Sequence, residues 1–172
     1  MLVEVAIIVP EDRLQRLRDV VIRVDKDYGD WRHMVYHPSR EWLIDNGHSP
    51  ELARRVHIQS AELYSSKRHH SIQPHSILHE LAHAYHHQVL GFDDGRVLEL
   101  YRDAKTSGKY ALVRHIGGKS RRHYALQDHK EYFAECTECY LATNDFYPFV
   151  RAELREHDPE MFGFLEEIWG AL

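Results

Sequence analysis

Apolar residues in this 172-residue chain fall into short runs of differing period. The first run, LVEVAIIV at residues 2–9, is nearly continuous and rich in β-branched side chains, which predicts a strand. PEDRLQRLRDV follows with helical spacing at Leu14 and Leu17, and Pro10 suits a first helical turn. VVIRV and HMVYH are short alternating or apolar runs and predict two further strands. SREWLIDNG predicts a short helix stopped at Asn46-Gly47. SPELARRVHIQSAELYSS carries a helix-start signal, with Ser49 as cap and Pro50 at the first helical position. A helix over residues 74–90 is then closed by Gly91.

The second half is more regular. DDGRVLELYRDAKTSG predicts another helix. YALVRHIGGKSRRHYAL predicts a hairpin around Gly117-Gly118. DHKEYFAECTECYLATN is a helix with Asp128 as its cap, and the tail forms two short helices broken near Asp158-Pro159. The expected class is α+β: mainly helical, with a small sheet in the first third and a hairpin before the Asp128 helix. The length fits one domain over residues 1–172, with no repeat or long linker inside it.

Composition narrows the function classes. Hydrophobic residues are 43% and charged residues 28%, which is globular. The net charge of −5, with both signs interspersed, argues against a nucleic-acid partner. No run approaches the roughly 20 apolar residues of a membrane span. The N-terminal run lacks a preceding basic residue and a small-residue cleavage pattern, so it does not have the form of a signal peptide. Cys136 and Cys139 are too close to staple distant segments, and without a strand-to-helix entry they read as packed thiols rather than a redox pair.

The chemistry-bearing stretch is HELAH at residues 79–83. On a helix, i and i+4 share a face, so His79 and His83 can point at one metal ion. Glu80 is rotated by about 100° and stands beside the ion, where it can take a proton from water. The chain holds 15 histidines, so this three-residue pattern arises by chance with a probability of roughly 0.1. The neighbours Ile77, Leu78, Leu81, Ala82 and Ala84 set it apart, because they pack the helix into a core. Zinc is the metal this donor set suits, and zinc needs a third protein ligand. His87 lies about 12 Å along the axis from His79 and is too far. An extended histidine pattern would need histidine where Val89 stands. His86 and His87 are therefore expected to be partly exposed residues near the cleft or satisfied surface histidines.

Glu131 and Glu135 lie one turn apart on the Asp128 helix. One can bind the metal, and the other can accept a hydrogen bond from a ligand imidazole. A competing role for Glu131 is a capping box with Asp128.

HELAH, with EYFAE following 48 residues after His83, resembles the gluzincin metallopeptidases and, more narrowly, the catalytic domain of the anthrax lethal factor-like peptidases. The resemblance covers about residues 74–140 and implies a zincin-like fold holding Zn2+. It implies that Glu131 is the third ligand and that Glu135 supports a ligand histidine, most simply His79. It also implies that Tyr124, seven residues before Glu131, stabilises an oxyanion or protonates a leaving amine; His123 and His115 are lesser candidates for that role. In zincin-like folds an edge strand holds an extended peptide, and HMVYH or VVIRV can serve.

Two functions follow. The first is a monomeric zinc peptidase acting on a peptide or protein, with Glu80 as general base. The second is a non-catalytic metal-binding module, which has no need of Glu80. The basic clusters KRHH and KSRRH read as solvated charge; Arg121 and Arg122, beside Tyr124, are candidates for selecting acidic substrate side chains.

Overall fold

The computed structural model describes residues 2–28 and 33–171. The molecule is α+β, helix-rich, with two small sheets. Residues 2–9 do not form the expected strand. Leu2–Ile8 is a helix, α1, followed by α2 at Glu11–Leu17. Val5 and Val9, one turn apart, are both buried, while Val3 and Ile7 face outward. No described strand pairs with this segment, and an isolated strand would leave its amides unpaired. Helix formation satisfies those amides internally, so burial and backbone pairing override β-branched propensity.

Three strands form the first sheet: β1 at Ile22–Val24, β2 at Met34–Tyr36 and β3 at Val56–Ile58. Its order is β1-β3-β2, with β3 parallel to β1 and antiparallel to β2. The helix expected from Ser49 is only a single turn at Pro50–Leu52, capped by the Ser49 hydroxyl as the sequence suggests. Arg54 then takes a left-handed φ of 60°, and the chain enters β3. Val56, His57 and Ile58 are all buried at the centre of the sheet. Ladder pairing on both sides of β3 decides this segment against helix. Between these strands lies α3, Arg40–Asp45; after them come the short helices α4, Ala61–Tyr64, and α5, Lys67–Ile72.

The second half follows its apolar periodicity. α6 spans Ser76–Tyr85 and widens into a π-turn at His86–Leu90, closed by Gly91 at φ 89°. α7 spans Gly95–Ser107. The hairpin is β4, Val113–Arg114, with β5, Ser120–Arg121. α8 spans His129–Leu141, and every residue from Tyr132 to Leu141 is buried. α9, Arg151–His157, and α10, Pro159–Trp169, break at Asp158 as expected. α6 and α8 pack together, and α7, α9 and α10 close around α8. The hydrophobic core runs through all of them, from Val5 to Trp169. Among the described residues no helix is long and apolar enough to cross a membrane.

Cys136 and Cys139 are free and buried in α8. Burial raises both thiols above their ordinary range, which agrees with packed rather than redox-active side chains.

Candidate metal centre

α6 is anchored by Ile77, Leu78, Leu81 and Ala82 in the core, and this turns His79 and His83 toward α8. Their Nε2 atoms converge to 3.1 Å. α8 begins where the Asp128 carboxylate accepts from the amides of Lys130 at 2.8 Å and Glu131 at 3.0 Å. Asp128 therefore caps the helix alone. The Glu131 side chain does not fold back on the helix start but crosses to α6, with Oε2 3.0 Å from His79 Nε2 and 3.4 Å from His83 Nε2.

These three atoms form a triangle with edges of 3.1, 3.0 and 3.4 Å. A tetrahedral ion with bonds of about 2.0–2.1 Å needs ligand atoms about 3.3 Å apart. The residues present fit a zinc-sized ion. Two imidazole nitrogens at this separation, facing a carboxylate, also form a donor set that a cation would hold together. Imidazole and carboxylate donors of this kind suit several divalent ions.

The support for His79 differs from the sequence expectation. Its Nδ1 pairs with Glu138 Oε1 at 2.6 Å, while Glu135 Oε1 stands 3.7 Å away. Glu135 is turned aside because Asn144 Nδ2 donates to its Oε2 at 2.9 Å. Glu138 thus makes the hydrogen bond expected of Glu135, and it leaves His79 Nε2 facing Glu131 and His83, where an ion would be held. Residues 131, 135 and 138 share one face of α8 by i, i+4, i+7 spacing. Glu138 is thus a third acid on the stripe that Glu131 and Glu135 begin, a spacing that makes it a candidate without choosing between it and Glu135.

Electrostatics follow from this crowding. Burial opposes charge on His79, but the carboxylates of Glu131 and Glu138 hold its imidazole well above its ordinary value. Burial would raise Glu131, yet the two imidazoles pull it below the usual carboxylate range. Burial, and then the Glu138 charge, push Glu135 up to about 8. Glu80 is also raised, first by burial. It accepts a 2.6 Å hydrogen bond from the Tyr36 amide of β2.

These groups line one cleft of about 790 Å3, walled by Met34, Val35 and Tyr36 of β2 on one side and by Tyr124 and Arg121 on the other. Tyr124 opens a short turn, Tyr124–Leu126, and is 45% exposed. Its hydroxyl makes no hydrogen bond among the described residues, and burial, then the Glu131 charge, keep it protonated. The alternatives to it are occupied. His123 is buried, accepts from the Ala125 amide and stacks on Phe146. His115 lines the cleft, but Nδ1 accepts from the Gly117 amide and Nε2 faces Asp145 at 3.4 Å. Arg122 is tied to the Leu126 carbonyl, so of the two arginines only Arg121 faces the cleft.

His86 departs from expectation, whereas His87 is partly exposed and satisfied beside a cleft-lining residue, as expected. His86 is fully buried against Phe92 and Phe133, and His87 bonds the Tyr36 hydroxyl. Neither reaches the metal triangle.

The family model of the anthrax toxin lethal factor, N- and C-terminal domain, matches residues 35–168. The chain belongs to this lethal factor family. The match begins within β2 and ends within α10, so it includes both helices of the metal triangle and the strand that contacts Glu80. No curated protein and no solved structure matches the chain.

Proposed function

We propose that this chain is a zinc-dependent metallopeptidase, a single zincin-like domain acting on a peptide or protein substrate. The observation that carries this reading is the triangle of His79, His83 and Glu131 with the Glu80 carboxylate beside it in an open cleft. Family membership supports it, since lethal factor-like proteins are the group that the motifs resemble. A bound zinc ion would supply Lewis-acid polarisation of the scissile carbonyl and of a water molecule. Glu80 takes the proton of the attacking water and passes it toward the leaving amine. Its raised pKa, caused by burial, suits a group that must both accept and release a proton. Tyr124 offers a free hydroxyl to the developing oxyanion.

The edge strand supports a peptide rather than a small substrate. His37 donates to Arg55 and Gln59 donates to His33, so residues 33, 35 and 37 face β3. The backbone polar groups of Met34 and Tyr36 therefore point away from β3, toward the cleft. The Tyr36 amide is bonded to Glu80 and the Met34 amide lies against the Tyr64 hydroxyl, so an extended chain can pair with the carbonyls of that edge.

The test is metal analysis of the purified protein with a peptide-library digest, comparing the protein with Glu80→Gln. The expected result is about one zinc per chain in both and a loss of roughly 10²–10⁴-fold in cleavage for the variant. Zinc binding with no cleavage that the variant lacks would leave a binding module instead.

A further inference from the structure

Tyr36 is tied to the metal helix at both ends. Its amide donates to Glu80 Oε2 at 2.6 Å. Its hydroxyl, on a ring only 4% exposed, lies 2.9 Å from His87 Nδ1 and accepts from Gln88 Nε2 at 2.9 Å. The tautomer of His87 sets which atom donates in the pair it makes with the Tyr36 hydroxyl. Arg54 in turn donates to Gln88 Oε1 at 3.2 Å, which fixes which end of that amide faces Tyr36. His87 stacks on Phe92 with rings 4.7 Å apart. A line of hydrogen bonds thus runs from the turn before β3, through the π-turn, to β2 at the wall of the cleft. π-turns of this kind recur at functional sites.

We propose that Tyr36 is a positioning residue for Glu80. Its amide holds one carboxylate oxygen and leaves the other facing the cleft. Its clamped side chain sets the separation of β2 from α6, and so the reach of that amide. The two cleft-facing residues of β2 then have different duties. Met34 has its amide against the Tyr64 hydroxyl and its carbonyl turned away from β3, and Tyr36 gives its amide to the base. One strand thereby borders the cleft and holds the group that acts there. An ordinary core tyrosine would need neither the hydroxyl clamp nor the amide contact.

The consequence for turnover rests on the metallopeptidase reading, whereas the hydrogen bond does not. Two measurements separate them. In the first, NMR follows the residue 36 amide in the metal-free and zinc-loaded protein. A short bond to a carboxylate predicts a far-downfield, slowly exchanging proton that moves upfield in Glu80→Ala. In Tyr36→Phe, and in Gln88→Leu at an exposed position that spares folding, the signal should move part of the way to the Glu80→Ala position. A signal that stays at its original position in both variants overturns the proposal. In the second, zinc-loaded variants that keep full zinc content should lose about 10-fold or more in kcat with KM within about twofold, since small misplacements of a catalytic group act on the chemical step. Lower thermal stability with unchanged kcat per bound zinc would make Tyr36 merely structural and also overturn the proposal. If no peptide is cleaved even by the unmodified protein, the metallopeptidase reading fails, and the amide signal alone decides whether Tyr36 holds Glu80.

Discussion

The layer of residues up to α5 and the slab from α6 to α10 contribute to one cleft in different ways. The slab supplies the candidate metal triangle from side chains on α6 and α8, two helices of 10 and 13 residues. The N-terminal layer supplies backbone: the edge of β2, whose strand is 3 residues long. α8 is buried on nearly all sides, so its carboxylates are held by packing and by one another. Leu43 and Leu52 of the first layer, though buried, lie outside the main hydrophobic core. Side-chain ligands need rigid supports, while a strand edge needs only its ladder with β3.

The largest effect that can test this contrast is in the core. Phe133, fully buried in α8, should cost about 3–5 kcal/mol as Phe133→Ala and should weaken zinc binding with it. Leu52→Ala should cost nearer 2 kcal/mol and leave zinc affinity unchanged. Denaturant midpoints and competitive zinc titrations measure both; equal loss of zinc affinity in the two variants would break the contrast.

Next comes the support of His79. Glu138→Gln should lower zinc affinity by about 10–100-fold, because it removes the anchor of a ligand imidazole. Glu135→Gln, whose partner is Asn144, should have a several-fold smaller effect. The reverse order would restore Glu135 to the role expected from the sequence.

The smallest effect concerns protons. His86 is buried, its two ring nitrogens have no partner among the described residues, and burial pushes its pKa from 6.5 down to about 3. The folded protein keeps this ring neutral, while the unfolded chain takes up a proton as pH falls below 6.5. Its contribution to stability is thus present above that pH and is lost on descent toward about 3. The loss reaches roughly 1.4 kcal/mol at pH 5.5. His86→Leu should remove that slope in urea titrations run between pH 7.5 and 5.5; an unchanged slope would show that His86 is not its source.

Much of the slab was legible in the sequence. The helices around HELAH and EYFAE, the Asp128 cap, the hairpin at Gly117-Gly118 and the break at Asp158-Pro159 all follow local signals. Long periodic segments commit locally, because many residues vote for one period. The first layer was less legible. Residues 2–9 and 49–66 are too short for periodicity to decide, and their strand or helix state depends on which neighbour satisfies the backbone.

The same division holds within the site. The spacing of His79, Glu80 and His83 follows from helix geometry, and so it was determined by sequence alone. The resemblance of two distant motifs supplied Glu131. Which carboxylate supports His79 was decided only by tertiary structure, because Asn144 draws Glu135 aside and leaves Glu138 within reach. The Tyr36 amide on Glu80 belongs to tertiary structure as well. A backbone amide carries no side-chain signature, so its use appears only when a strand and a helix 44 residues apart in the chain are brought together.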